Sequence, residues 1–240
     1  MISQTRHSVQ VLYEDNHLLV LSKPVGMPTV PDSSKDFSLL EWGKAYLKES
    51  RNKPGNVFLG VVHRLDRPVS GVICFATTSK AASRLSDQLR NKKIDKTYLA
   101  VVHGASPSEA ELIHWISKDR RKNIVKLYAK NPGGHLKAKK AKTHLKLLKT
   151  IESLSLVELV PETGRPHQLR AQCAKIGCPI VGDLKYGAPE PLPNRSIALH
   201  ALKLTLQHPT KKNTMTFIAE PPDFPPWNML GAIHDPGFSL

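Results

Sequence analysis

The stretch from Val72 to His103 constrains the fold most, because it spells strand, helix, strand in close succession. VICFA is a short apolar run of the kind that forms a buried strand. Ser79 then suits the cap of a helix that carries Ala82, Leu85 and Leu89 on one stripe. Thr97 to His103 returns to a β-rich run. This grammar predicts a mixed sheet with helices packed on its faces, an α+β chain rather than a helical bundle.

The rest of the chain extends that sheet. VQVLYEDNHLLVLS holds two β-rich runs around Glu14-Asp15-Asn16 and predicts a hairpin, ended by Lys23-Pro24-Val25-Gly26. Residues 38 to 49 have helical spacing, with Ser38 as N-cap and Glu41 three residues on. SLVELVP alternates as a strand does. A helix is predicted to follow it, with Pro166 at its first position and Gly177 past its end. Ala201 to Leu206 and MTFIA read as final strands, and the Pro-rich PPDFPPWNML is expected to pack across the surface. With no repeat and no low-complexity linker, residues 1 to 240 are expected to form a single domain.

Charge narrows the function. Thirty-five Lys and Arg against 20 Asp and Glu give a formal net charge of +15 and a pI near 9.8, which favours a polyanionic partner. Residues 118 to 149 concentrate this excess: 12 Lys or Arg with Asp119 as the sole acid, a hairpin or loop region that is either a solvated face or a phosphate-contacting surface. Cys74, Cys173 and Cys178 form no C-x-x-C pair, so reduced structural thiols are expected, with neither a disulfide framework nor a thiolate metal site. No run approaches the roughly 18 apolar residues of a membrane span, and the N-terminus lacks a signal-peptide pattern. A cytoplasmic protein without membrane contact is expected.

Three clusters set polar residues against buried structure. His63-Arg64-Leu65-Asp66 precedes Arg67-Pro68-Val69-Ser70-Gly71, so the Asp66 carboxylate falls at a strand edge, where desolvation and cations can govern it. The bland alternative is a structural Asp66 paired with Arg67. In Lys96-Thr97-Tyr98-Leu99-Ala100-Val101-Val102, Tyr98 alternates with apolar residues, as core tyrosines commonly do. The third cluster runs Thr163-Gly164-Arg165-Pro166-His167-Gln168-Leu169-Arg170. With a helix starting near Pro166, His167 and Arg170 share a face at its positive end, where an anion is stabilised.

Taken together, these segments resemble the RluA-type pseudouridine synthase family over nearly the entire chain. The resemblance is carried by YEDNHLLVLSKPVG, HRLD with its downstream Ser-Gly, KTYLAVV, TGRPHQLR, PIVGDLKYG and LHALKLTLQHP, in the family's order. It implies the pseudouridine synthase fold: a mixed, largely antiparallel central sheet with flanking helices, in two lobes around an RNA-binding cleft. It also implies isomerisation of uridine to pseudouridine in structured ribosomal or transfer RNA. Asp66 matches the catalytic aspartate, Tyr98 the active-site tyrosine and Arg170 the arginine that ion-pairs with the aspartate. Arg64 resembles the residue that fills the space left by the flipped base. His63, Arg67, Lys96, Arg165 and His167 are placed with Arg64 as RNA-contacting or loop-orienting groups.

The residue types suit that reaction. Uracil is cut from ribose at N1, turned and rejoined through C5, with no net redox change, so no cofactor or metal is expected. An ionised carboxylate near the sugar and an enclosed pocket are required; attack on the sugar and removal of a ribose proton both remain open for Asp66. Flipping the base out of its stack costs a few kcal/mol, least in loops. Three departures from the family pattern, Pro166, Gln172 and Arg67-Pro68-Val69, bear on helix orientation and substrate choice. The chain opens on the catalytic motif, so a separate N-terminal RNA-binding domain is not expected, nor is an obligate protein partner; a monomer is. The rival readings are a non-catalytic RNA- or ribosome-binding protein and a glycosidic hydrolase, which would need a second acid such as Glu162 or Asp183.

Overall fold

The computed structural model describes residues 9–119, 121–193 and 195–230. Two compact units emerge, residues 1–95 with 201–220 and residues 96–200 with 221–240.

In the first unit, β1 (Gln10–Glu14) and β2 (Leu18–Lys23) form the expected antiparallel hairpin. Asp15 explains its turn. One carboxylate oxygen accepts from the His17 and Leu18 amides, both at 2.8 Å, and the other accepts from Tyr13 Oη at 3.0 Å and His208 Nε2 at 2.9 Å. His208 is fully buried and its Nδ1 accepts from the Thr210 and Lys211 amides, so the neutral tautomer meets all these bonds. Burial works to raise the Asp15 pKa, but the amides of His17 and Leu18, then His208 and Tyr13, outweigh it and hold the carboxyl at about 2. The sign follows from linkage: a folded value below the unfolded one gives stability present above about pH 4 and lost as pH falls through 2. In acid titration followed by circular dichroism, Asp15→Asn should be less stable than wild type at pH 7 and show a shallower loss between pH 4 and 2. Parallel titration curves would refute that role.

Helix α1 (Leu39–Ser50) starts at Ser38 with a complete capping box, the Ser38 hydroxyl receiving the Glu41 amide while the Glu41 carboxylate receives the Ser38 amide. Gly43 allows its close approach to Leu59 and to Leu19 of β2. The short β3 (Gly60–Val61) pairs with β4 (Ser70–Ala76), which also pairs antiparallel with β2 and is buried throughout. At Gly71 φ is +116°, and an added Cβ would fall on the backbone of Ala201, which accounts for glycine after the Asp66 loop. Helix α2 (Ser79–Arg90) is capped one residue earlier than expected, by Thr78, whose hydroxyl accepts from the Ala81 amide. Its Gln88 exchanges two hydrogen bonds with the backbone of Gln207. From Lys203 onward β10 (Leu199–Gln207) pairs antiparallel with β11 (Thr214–Ile218).

The second unit holds β5 (Asp95–His103), β6 (Glu109–Asp119), β7 (Ile124–Tyr128), β8 (Lys139–Ile151) and β9 (Leu154–Pro161), paired antiparallel in the order β5-β9-β8-β6-β7. The basic segment thus lies largely on strands, with a 3-10 turn at Gly134–Leu136; Arg120 lies outside the described residues. Helix α3 (Gln168–Lys175) packs its Ala171 with Ile116, Val125 and Ala141. The tail seats Trp227, 2% exposed, edge-on against His200. Every strand pairing named here is antiparallel, and among the described residues three α-helices flank the strands, in accord with the expected α+β class. Among the described residues no helix is long and apolar enough to cross a membrane.

Candidate active site

The Asp66 loop is fixed through its neighbours. On one side Thr29 Oγ1 donates to the Leu65 carbonyl at 2.8 Å and accepts from the Leu65 amide at 3.3 Å. On the other the Arg67 carbonyl accepts from the Gly26 amide at 3.0 Å and from Lys23 Nζ at 3.1 Å, while the Val69 amide donates to the Asp66 carbonyl at 3.0 Å. The backbone is therefore held immediately before and after Asp66, whose side chain is half-buried. Arg64 is exposed beside it.

Lys23 is the residue that sequence reasoning missed. It is 1% exposed, and its ammonium donates to the carbonyls of Pro24, Met27 and Arg67 at 2.9, 2.7 and 3.1 Å. Burial pushes its pKa down to about 7, against the Asp66 charge, which favours the ammonium, and with that of Arg67, which opposes it. Three acceptors match the three protons of the ammonium form. Replacing it in Lys23→Met leaves those carbonyls without their donor, and denaturant titration should register a loss on the order of 3 kcal/mol. An unchanged midpoint would show that the clamp is dispensable.

Arg67 turns away to the surface. Its guanidinium pairs with Asp36, lies 3.9 Å from Asp32 and donates to Ser34 Oγ and the Gly26 carbonyl at 2.9 Å, so the simple Asp66–Arg67 pairing gives way to a loop anchored at residues 32–36. His63 Nε2 accepts from the Cys74 amide at 3.0 Å, which ties the loop to β4. Burial pushes the Cys74 and Cys173 thiols up to about 12 and raises Cys178 as well, which disfavours the thiolate form at all three.

In the second unit Lys96 and Tyr98 share a face of β5, both half-buried, with Tyr98 opposite Leu159. Lys96 Nζ lies against Gly164, where an added Cβ would stand 3.8 Å away, and burial lowers its pKa.

Helix α3 begins at Gln168, two residues later than the Pro166 rule predicts. The Gln168 amide bonds to the Arg165 carbonyl, closing a turn through Pro166, and His167 adopts the left-handed conformation at φ +50° as N-cap. His167 is thus outside the helical face assigned to it. Its Nδ1 instead lies 2.8 Å from Tyr186 Oη, which also accepts from the Val125 amide. Arg170, 5% exposed, stands over the same Tyr186 ring at 5.2 Å and grips Asp183 with Nε and Nη2 at 2.7 and 2.8 Å. Asp183 and Tyr186 were present in the PIVGDLKYG segment, yet only the fold shows that they hold Arg170 and His167.

Two glutamines tie α3 to the sheet, one from the family motif, Gln168, and one that departs from it, Gln172. Gln168 bridges Thr163, the Arg165 amide, the Lys142 carbonyl and Thr143, and Gln172 accepts from Thr143 Oγ1 and donates to the Leu112 carbonyl. Gln172 is fully buried with its amide satisfied, so it serves as a structural tether of α3. Arg165 Nε donates to the Lys140 carbonyl. Apart from these, Glu111, His144 and Glu162 gather within 4.8 Å on the sheet, with Lys142 Nζ at 2.6 and 2.7 Å from the two carboxylates, so a cation of the chain already stands between them.

Comparison with known proteins bears on the family and the fold. The model of the RNA pseudouridylate synthase family matches residues 17–175. A "Ribosomal large subunit pseudouridine synthase C" of Buchnera aphidicola subsp. Baizongia pistaciae is 35% identical over 223 residues, 87% of this chain and 66% of that protein. An "Uncharacterized RNA pseudouridine synthase YhcT" of Bacillus subtilis is 37% identical over 204 residues, 84% of this chain and 65% of that one. The chain thus spans about two thirds of the length of these relatives. The solved structure of human RNA pseudouridylate synthase domain containing 4 superposes with a TM-score of 0.74 at 25% identity, covering 92% of this chain and 91% of the human one. Segments in family order, the α+β architecture and a family match across most of the chain converge: this chain belongs to the RNA pseudouridylate synthase family, in its RluA-type branch.

Proposed function

We propose that this chain isomerises uridine to pseudouridine in RNA, with Asp66 as the catalytic carboxylate and Tyr98 and Arg170 as its active-site partners. The observation that carries the proposal is the clamp on both neighbours of Asp66, which presents one carboxylate on a backbone that cannot drift. A carboxylate at a sugar needs such positioning whether it attacks C1′ or removes a ribose proton, because a misplacement of about 1 Å can cost 100-fold. Tyr98 stacks on the uracil, and Arg170, with two of its nitrogens committed to Asp183, enters the reaction as a pre-oriented cation. Arg64, exposed beside the loop, fills the space left by the flipped base. Lys96 and Arg165 bring positive charge for the phosphates, Arg67 acts through the loop it anchors to Asp36, and His63 and His167 orient the two loops.

Ribosomal RNA is the favoured substrate, since relatives carry that role in their names; transfer RNA is the alternative. In this reading the chain acts as one catalytic domain, a cytoplasmic monomer without an obligate partner, and because the isomerisation has no net redox change it calls for no redox cofactor. The test is to delete the gene and map pseudouridines in total RNA by carbodiimide-dependent reverse-transcription stops, complementing with wild type or Asp66→Asn. A stop that vanishes and returns with wild type alone supports the proposal and names the substrate. An unchanged map in the deletion overturns it and favours an RNA-binding role.

A further inference from the structure

The outer face of β6, β7 and β8 carries a row that the catalytic reading does not use. Trp115 lies directly opposite Tyr128 on β7 and opposite Lys140 on β8, so the register sets Tyr128, Trp115 and Lys140 side by side on one face. Burial agrees with the pleat. Leu112, Ile116, Val125 and Ala141 point to the α3 side and are buried, whereas Ile113, 40% exposed, and Trp115, Lys126, Tyr128 and Lys140 alternate with them. Ser117, beside Trp115 on β6, is opposite Lys126 and donates from Oγ to the Leu136 carbonyl, so the basic connection from β7 to β8 folds back along this end of the face. Arg165 reaches the same strand through the Lys140 carbonyl.

Charge divides the face. At one end Glu111 and Glu162 neutralise Lys142, as described above. At the other the aromatic row is flanked by Lys126, Lys140 and Arg165, with no acid among its register partners. Neighbours in the row stand about 5 Å apart. Cross-strand aromatics are ordinary sheet stabilisers, but rings with cations on both sides and on a half-exposed face also have the composition of surfaces on which unpaired bases stack while phosphates meet the flanking charges.

We propose that the Tyr128–Trp115–Lys140 row is a stacking platform for single-stranded RNA, holding unpaired nucleotides of the substrate outside the catalytic residues. The occupant is RNA because the chain carries a net charge of +15 and this end of the face is cationic. The inference rests on the proposed function for the identity of the substrate, but its test needs no turnover.

The experiment compares binding of a short unstructured oligoribonucleotide with that of an RNA duplex of the same composition, by fluorescence anisotropy over a salt series. Trp115→Ala and Tyr128→Ala should each weaken single-strand binding roughly five- to 100-fold and leave duplex binding near wild type, with Trp115→Phe restoring most of the loss. Lys140→Gln should lower both affinities and reduce the salt slope by about one. Photo-crosslinking of a 4-thiouridine-containing strand to the unmodified protein keeps the proposal decidable if an alanine variant fails to fold: crosslinks at Trp115 or Tyr128 support it, and crosslinks confined to other surfaces overturn it. Single-strand affinity within two-fold of wild type in folded variants, or equal losses for duplex and single strand, also overturn it. Loss of turnover on every RNA with the platform effect intact would instead refute the proposed function alone.

Discussion

Asp66→Asn should produce no detectable pseudouridine while binding RNA with near wild-type affinity. The substitution keeps the volume and the planar head of the side chain, and the bonds that fix the loop go to the backbone of Leu65, Asp66 and Arg67, so the fold and loop position persist. What disappears is the negative charge and the basicity. Both candidate roles for the carboxylate require them, since an amide neither attacks C1′ nor accepts a ribose proton at neutral pH. A loss of about 10,000-fold or more in turnover is expected, as for a group that acts in the chemical step. Single-turnover assay on the mapped RNA, with affinity measured in parallel, separates chemistry from binding. Turnover within ten-fold of wild type would remove Asp66 from the mechanism, and a matching fall in affinity would recast it as a binding residue.

Sequence disclosed what depends on neighbours along the chain. The Ser38 capping box, the Asp15 hairpin and the buried VICFA strand each follow from residue types a few positions apart, and the structure has them. The start of α3 misled because Pro166 satisfies the rule for a first helical residue, whereas the left-handed His167 that delays the helix is held by Tyr186, 19 residues away. Lys23 was hidden for the same reason: at the end of an apolar run a lysine looks like a solvated terminus, and its burial depends on carbonyls that only a fold brings together, one of them 44 residues on. The candidate catalytic residues came from family motifs. Periodicity alone reads Tyr98 as a core tyrosine and Asp66 as a structural acid.

Asp183→Asn should be the most destabilising conservative change in the second unit. Asp183 is 1% exposed and Arg170 5%, and the carboxylate takes both Nε and Nη2 of the guanidinium. An amide retains the shape but offers one acceptor oxygen in place of two and no charge, so the buried guanidinium loses its counter-charge in this unit. Breaking such a pair from one side costs about 3–5 kcal/mol, far more than the pair adds relative to an apolar substitute. For a chain of this size that corresponds to a fall of roughly 6–20 °C in Tm, read on the thermal unfolding transition. The damage should spread to the site: Arg170 also lies over Tyr186, whose hydroxyl meets His167 and the Val125 amide, so turnover should fall along with stability. The double change Arg170→Met, Asp183→Leu separates the two effects, because it removes both buried charges. It should recover much of the lost Tm and none of the lost turnover. A single variant that melts within two degrees of wild type would show that Arg170 is neutralised well enough without Asp183, and the clamp on the arginine would have to be sought elsewhere.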